Sequence, residues 1–125
     1  MDPTIQQQNL ASEFFTTEHC FITELANSAN DPAASIARAR VAPGVTTRWH
    51  RLHDTAERYF ILTGCGQVEV GELPAQKVNP GDVVTIPPLV RQRITNTGND
   101  DLVFLAICTP RFIDTNYEEL GETPP

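Results

Sequence analysis

Two histidines and a glutamate stand close together near the middle of the chain, His50, His53 and Glu57, inside a segment that opens on Gly44 and closes on Gly64. Two imidazoles and one carboxylate are the donor set of the facial triad, which holds a divalent transition metal and leaves coordination positions open. Glu57 begins a stretch, residues 57–62, that is otherwise rich in aromatic and β-branched residues and reads as a strand. A carboxylate pointing into the interior from such a strand is costly unless it is paired or metal-bound. Tyr59, two residues on, shares the face of Glu57. It reads either as a pocket acid and hydrogen-bond donor or as a core aromatic. The third histidine, His19, stands alone in a strand-like segment and reads as a structural or surface residue.

The elements that must hold these residues are strands. Residues 14–25 are aromatic, β-branched and Thr-rich, enough for one or two short strands, and dense turn chemistry follows at 27–32. Residues 35–41 alternate, with Ile36, Arg38 and Arg40 on one face and Ala37, Ala39 and Val41 on the other. Further short strands are expected at 67–72, 76–78, 83–86 and 92–96, each closed by Gly, Pro or Asn. Residues 102–108 are continuously apolar, as in a strand of a covered sheet. Residues 114–120 read as one helical turn. No window sustains a helical period, so the pattern predicts an all-β antiparallel sandwich or barrel.

With that pattern in place, the chain resembles the cupin family. Gly44, His50, Glu57 and Gly64 fall at the spacing of the first cupin motif, and Gly81, Pro87 and Asn96 match the second, with residues 65–80 between them. Three positions depart from the motifs. Leu52 stands where the first motif has its second histidine, with His53 one place later; Leu89 replaces a glycine and Gln92 a histidine of the second motif. The resemblance covers about residues 35–108 and implies a jelly-roll barrel, the antiparallel double-stranded β-helix. It implies a mononuclear divalent metal (Fe, Mn, Ni, Cu or Zn) on His50, His53 and Glu57, with Gln92 as a fourth, neutral oxygen donor. It also implies a homodimer. Related activities are dioxygenases and isomerases acting on small organic or sugar-like substrates, with Glu57 and Tyr59 as candidate catalytic groups. On a straight strand His50 and Leu52 would face one side and His53 the other; a tight turn at 54–56 would return His53 to the metal.

The chain as a whole bounds these readings. Its 125 residues allow one domain with one core. The expected organisation is an N-terminal extension at 1–34 with one or two strands packed on the barrel, the barrel at 35–113 and a tail at 114–125. A net charge of −7 disfavours nucleic acid and anionic membrane as partners. The N-terminus has neither the basic flank nor the apolar run of a secretion signal, which predicts a cytoplasmic chain. Three widely spaced cysteines, Cys20, Cys65 and Cys108, argue against a disulfide framework. The arginines near the motif are read mainly as the solvent face of strands, though they are also candidates to clamp an anionic substrate. Three functions compete: a metal-dependent enzyme, a non-catalytic small-molecule binding module with a degraded metal site, and a structural cupin in which His50 and Glu57 bond each other.

Overall fold

Among the described residues eleven strands follow one another with turns between them: β1 (Phe14–Phe15), β2 (Phe21–Ala26), β3 (Ser35–Val41), β4 (Trp49–Leu52), β5 (Ala56–Thr63), β6 (Gly66–Val70), β7 (Gln76–Val78), β8 (Val83–Ile86), β9 (Gln92–Asn96), β10 (Leu102–Thr109) and β11 (Tyr117–Gly121). The computed structural model describes residues 1–121. Helical structure among the described residues is confined to two single 3₁₀ turns, Leu10–Ser12 and Asp114–Asn116. None of its helices is long and apolar enough to cross a membrane.

The strands form two antiparallel sheets. One has the order β1-β2-β3-β10-β5-β8 and the other β11-β4-β9-β6-β7. Their inner faces meet in the antiparallel barrel expected from the strand spacing, with the double-stranded β-helix form that the family resemblance implies. Residues 14–26 add two strands to the edge of the first sheet, so this part of the expected N-terminal extension is continuous with the barrel wall. Only the first turn of the segment read as helical is helical; from Tyr117 on it is a strand paired with β4. Residues 122–125 of the expected tail lie outside the described residues.

The period of two decides what faces inward. On β3 the inner row is Ser35, Ala37, Ala39 and Val41; on β5 it is Glu57, Tyr59 and Ile61; on β10 it is Leu102, Phe104, Ala106 and Cys108. Cross-strand register lines these rows up end for end, with Cys108 beside both Ser35 and Glu57, and Phe104 beside Ala39 and Ile61. The barrel interior is therefore graded. At one end Val41, Ile61, Ile94 and Leu102 are wholly buried, each contributing about 1.5–3 kcal/mol of hydrophobic stabilisation. At the other end the row finishes in Ser35, Glu57 and Cys108, and the small side chains of Ala37 and Ala106 leave space unfilled.

Two motif residues are explained by this frame. Gly64 has φ +82°, and a Cβ there would come within 2.7 Å of the Asp101 carbonyl oxygen, so any other residue would clash with backbone. Asn96 is buried; its amide nitrogen donates to the carbonyls of Val41 and Asp100, and its oxygen accepts from the Gly98 N–H. Leu89, in a motif position of glycine, nevertheless keeps a positive φ of 69°, and its N–H donates to the Leu52 carbonyl at 2.8 Å.

Candidate active site

The unfilled end of the barrel is a cavity of about 320 Å³. Its floor and walls include His50 and Leu52 from β4, Glu57 from β5, Cys108 from β10, Glu18 from the turn before β2, and Tyr117 from β11. Glu24 and Asp114, both exposed, lie toward its mouth together with the aromatic rings of Phe14 and Phe112.

His50 is only 3% exposed. Its Nδ1 lies 2.8 Å from the Arg48 carbonyl, and a carbonyl only accepts, so Nδ1 carries a hydrogen. That fixes the ring and leaves Nε2 directed at the Glu18 carboxylate, Oε2 being 3.4 Å away. His50 and Glu18 thus stand as a close imidazole–carboxylate pair on the cavity wall. The His50 ring stacks on Tyr117 with centroids 5.3 Å apart and 27° between planes.

Glu57 lines the same cavity, near enough for the charges of this pair to act on it. Burial pushes its carboxyl up to about 7; the Glu18 charge adds to the rise, and His50 opposes it. The Cys108 thiol donates to its Oε2 at 3.8 Å. The Gln92 amide also faces Glu57 and favours its charged form, yet the two close no hydrogen bond of ordinary geometry. Glu57 Oε1 and Gln92 Nε2 are thus both buried without a partner, and so is the Tyr117 hydroxyl. Buried polar groups in folded proteins nearly always find partners. Three orphans, two on cavity-lining side chains and one directly behind Glu57, mark a surface prepared for something else to bond.

The remaining expected site residues fall elsewhere. Tyr59 shares the inner face of β5 with Glu57, but it lies below the cavity floor. It is 4% exposed, packs on Phe104 with centroids 4.4 Å apart, and its hydroxyl donates to Gln92 Oε1. That bond takes the Gln92 oxygen and turns its N–H₂ toward Glu57, so as placed Gln92 presents a donor to the site rather than an oxygen ligand. β4 runs straight to Leu52, which enters the barrel and lines the cavity. His53 follows outside; its side chain is 42% exposed and its Nε2 is 2.6 Å from Glu118 Oε1. The turn at Asp54 (φ +64°) carries the chain into β5 without returning the imidazole. His53 is therefore not brought together with His50 and Glu57. His19, in the turn before β2, does not line the cavity either.

The donors do not compose the ligand set that the motif resemblance implied. One of its two imidazoles is replaced inside by Leu52, and its neutral oxygen is occupied by Tyr59. Among the described residues no three His, Cys, Asp or Glu side chains converge in a way that could hold a metal ion. The arginines lie on outer faces: Arg38 and Arg40 on Glu13, Arg51 on Glu118, Arg91 on Glu72, and Arg93 on Glu69. None lines the cavity. Glu18 and Tyr117, by contrast, were not legible as site residues, because neither belongs to a motif and each reaches the cavity through long-range pairing.

Comparison with known proteins fits this architecture. The family model for the cupin domain matches residues 37–108, and the chain belongs to that family. Glucose-6-phosphate isomerase of Thermococcus gammatolerans is 41% identical over 63 residues, covering 47% of this chain and 33% of the isomerase. The chain thus spans about a third of the length of the isomerases it matches. An uncharacterised protein of Methanocaldococcus jannaschii is 33% identical over 86 residues, 69% of this chain and 68% of that one. Among solved structures, the nucleoside dehydratase Pac13 superposes with a TM-score of 0.77 at 16% identity, covering 97% of this chain and 95% of Pac13. At that identity the likeness is one of fold.

Proposed function

We propose that this cupin is an enzyme of proton transfer, an isomerase or dehydratase acting on a small hydroxylated carbonyl compound. Glu57 serves as the acid–base group and the His50–Glu18 pair as the second. The observation that carries the reading is the Glu57 carboxyl, poised near neutrality with its Oε1 unpartnered and lining the same cavity as His50. A general base works best when its pKa lies near the working pH, and two acid–base groups lining one cavity suit removal of a proton at one atom and its return at another.

In this reading Glu57 takes the proton from the carbon next to the carbonyl, while the His50–Glu18 pair supplies a proton to the oxygen that gains charge. The Tyr117 hydroxyl donates a hydrogen bond to the same oxygen or its neighbour. Tyr59 acts through Gln92, holding the amide N–H₂ against Glu57, and is a positioning residue. The isomerase relatives supply a sugar-like substrate class, and the dehydratase supplies a proton-transfer chemistry carried on the same barrel.

The metal-centred alternative, with a divalent ion on His50, His53, Glu57 and Gln92, is disfavoured by the donor geometry above, and no step is routed through it. The deciding experiment incubates the full chain with aldoses and ketoses in D₂O and follows hydrogen exchange next to the carbonyl by NMR. Exchange catalysed by the wild type and lost at least about a hundredfold in Glu57→Gln is expected. Equal exchange in both proteins rejects Glu57 as the base. No exchange with any member of the panel, together with saturable binding, favours the non-catalytic binding module.

A further inference from the structure

Four acidic side chains line an otherwise largely apolar cavity. Glu18 and Glu57 stand at its depth, Glu24 and Asp114 stand toward its mouth, and no lysine or arginine lines it. Burial raises both Glu57 and Glu24, opposed by His50 at the first and by the Asn27 side chain at the second, and the Glu18 charge adds to the rise at Glu57 as that of Asp114 does at Glu24. A protein of net charge −7 has gathered four acids around one cavity, while Arg40, Arg51 and Arg93 pair with acids on the outer faces. Such an arrangement repels anions and is relieved by a cation.

A second observation points to a ligand at the same place. The Glu57 Oε1 atom is buried, unpartnered and on the cavity floor, and behind it Gln92, 0% exposed, aims an unpartnered amide nitrogen at the same carboxyl. The aromatic rings of Phe14, Phe112 and Tyr117 among the lining residues add faces on which an ammonium group is attracted.

We infer that the natural ligand is a small hydroxylated carbonyl or polyol compound bearing a protonated amine and no phosphate, with the amine held near Glu24 and Asp114 and the oxygen-bearing end at Glu57 and His50. The inference rests on the reading of this cavity as the substrate site. It also separates this chain from its isomerase relatives at the level of substrate charge, because a hexose phosphate would meet no basic side chain here.

Three hexoses that differ only in charge test it: glucosamine, glucose and glucose 6-phosphate, titrated calorimetrically into the full chain at pH 6.5. Two partly exposed carboxylates facing one ammonium predict glucosamine binding about tenfold tighter than glucose, and glucose 6-phosphate about tenfold weaker. The Glu24→Gln/Asp114→Asn variant, isosteric at both positions, should bring glucosamine and glucose within about twofold of each other. In the wild type, raising salt to 0.5 M should shrink the glucosamine advantage without any substitution. The inference is overturned if glucose 6-phosphate binds as well as glucose, if the glucosamine advantage persists in the double variant, or if glucosamine shows no saturable binding. Hydrogen exchange on neutral sugars, lost in Glu57→Gln but accompanied by no charge ranking, sinks the amine and leaves the proton-transfer reading standing.

Discussion

Two histidine–glutamate clusters are built on histidines three residues apart, His50 inside the barrel and His53 outside it just past β4. Outside, His53 and Arg51 converge on Glu118, with contacts of 2.6 and 2.7 Å. These bonds hold the Glu118 carboxyl below its usual range, and the cluster is open to water. Inside, His50 meets Glu18 at 3.4 Å and faces Glu57, whose Oε1 has no partner and whose carboxyl is raised to about 7. The same functional groups are thus satisfied in one place and left wanting in the other. Composition does not distinguish them; solvation does. A saturated surface cluster adds little and does no chemistry, whereas an unsatisfied buried one costs stability that only a ligand can return.

The sharpest way to break this contrast is to neutralise the inner carboxylate. Glu57→Gln should lower activity at least about a hundredfold, measured as hydrogen exchange next to the carbonyl, while leaving the fold intact by circular dichroism. The same variant tests the cost. Because the folded value of Glu57 lies above its ordinary 4.5, the native state favours the protonated form. Stability from this group is therefore full below pH 4.5 and is lost as pH rises through about 7, a loss on the order of 3 kcal/mol. Denaturant titrations at pH 4 and pH 8 should show Glu57→Gln stabilised relative to wild type at the higher pH only.

Leu52→His asks whether the inner cluster lacks only a donor. With an imidazole at the inward position beside His50 and Glu57, the purified variant should acquire a divalent ion at near one equivalent, read by elemental analysis, where the wild type takes up less. Equal metal content in the two proteins would count against the reading that Leu52 breaks the ligand set. Tyr59→Phe leaves Gln92 Oε1 buried and unbonded, which should cost about 1–2 kcal/mol in denaturant unfolding. It should also shift the pH profile of activity, a change that simple loss of packing would not produce. The smallest effect is expected outside: His53→Ala should leave activity, metal content and ligand binding unchanged, and any clear loss in them overturns the division between the clusters.

Most of the fold was legible because it rests on local signals. The alternation of 35–41, the turn at 79–82 and the apolar run at 102–108 each name their own strand. His50 and Glu57 were legible for the same reason, being spaced along one motif. What escaped was whatever depends on a bend or on a distant partner. Whether His53 swings inward is decided by the path of β4 and by Asn116, whose carbonyl accepts the His53 N–H at 2.7 Å from across the sequence. The alanines of β3 weakened its strand signal, yet Ala37 helps to leave the cavity open. Tyr117 reads as part of a helical turn because polar and acidic neighbours hide its strand character; pairing with β4 overrides that local preference.

The family model ends at residue 108 and begins at residue 37, but Glu18 lies before it and Tyr117 beyond it. The scaffold shared with other cupins supplies the floor, while the flanking segments supply two of the walls. Those walls are built from pairings that reach outside the matched segment, Glu18 against His50 and β11 against β4. A chain that had closed its barrel but not docked these segments would look folded to spectroscopy and still be blind to its ligand. Ligand binding is therefore a stricter assay of completed folding than secondary structure. Divergence among relatives can also proceed by exchanging the flanks while the barrel stays the same.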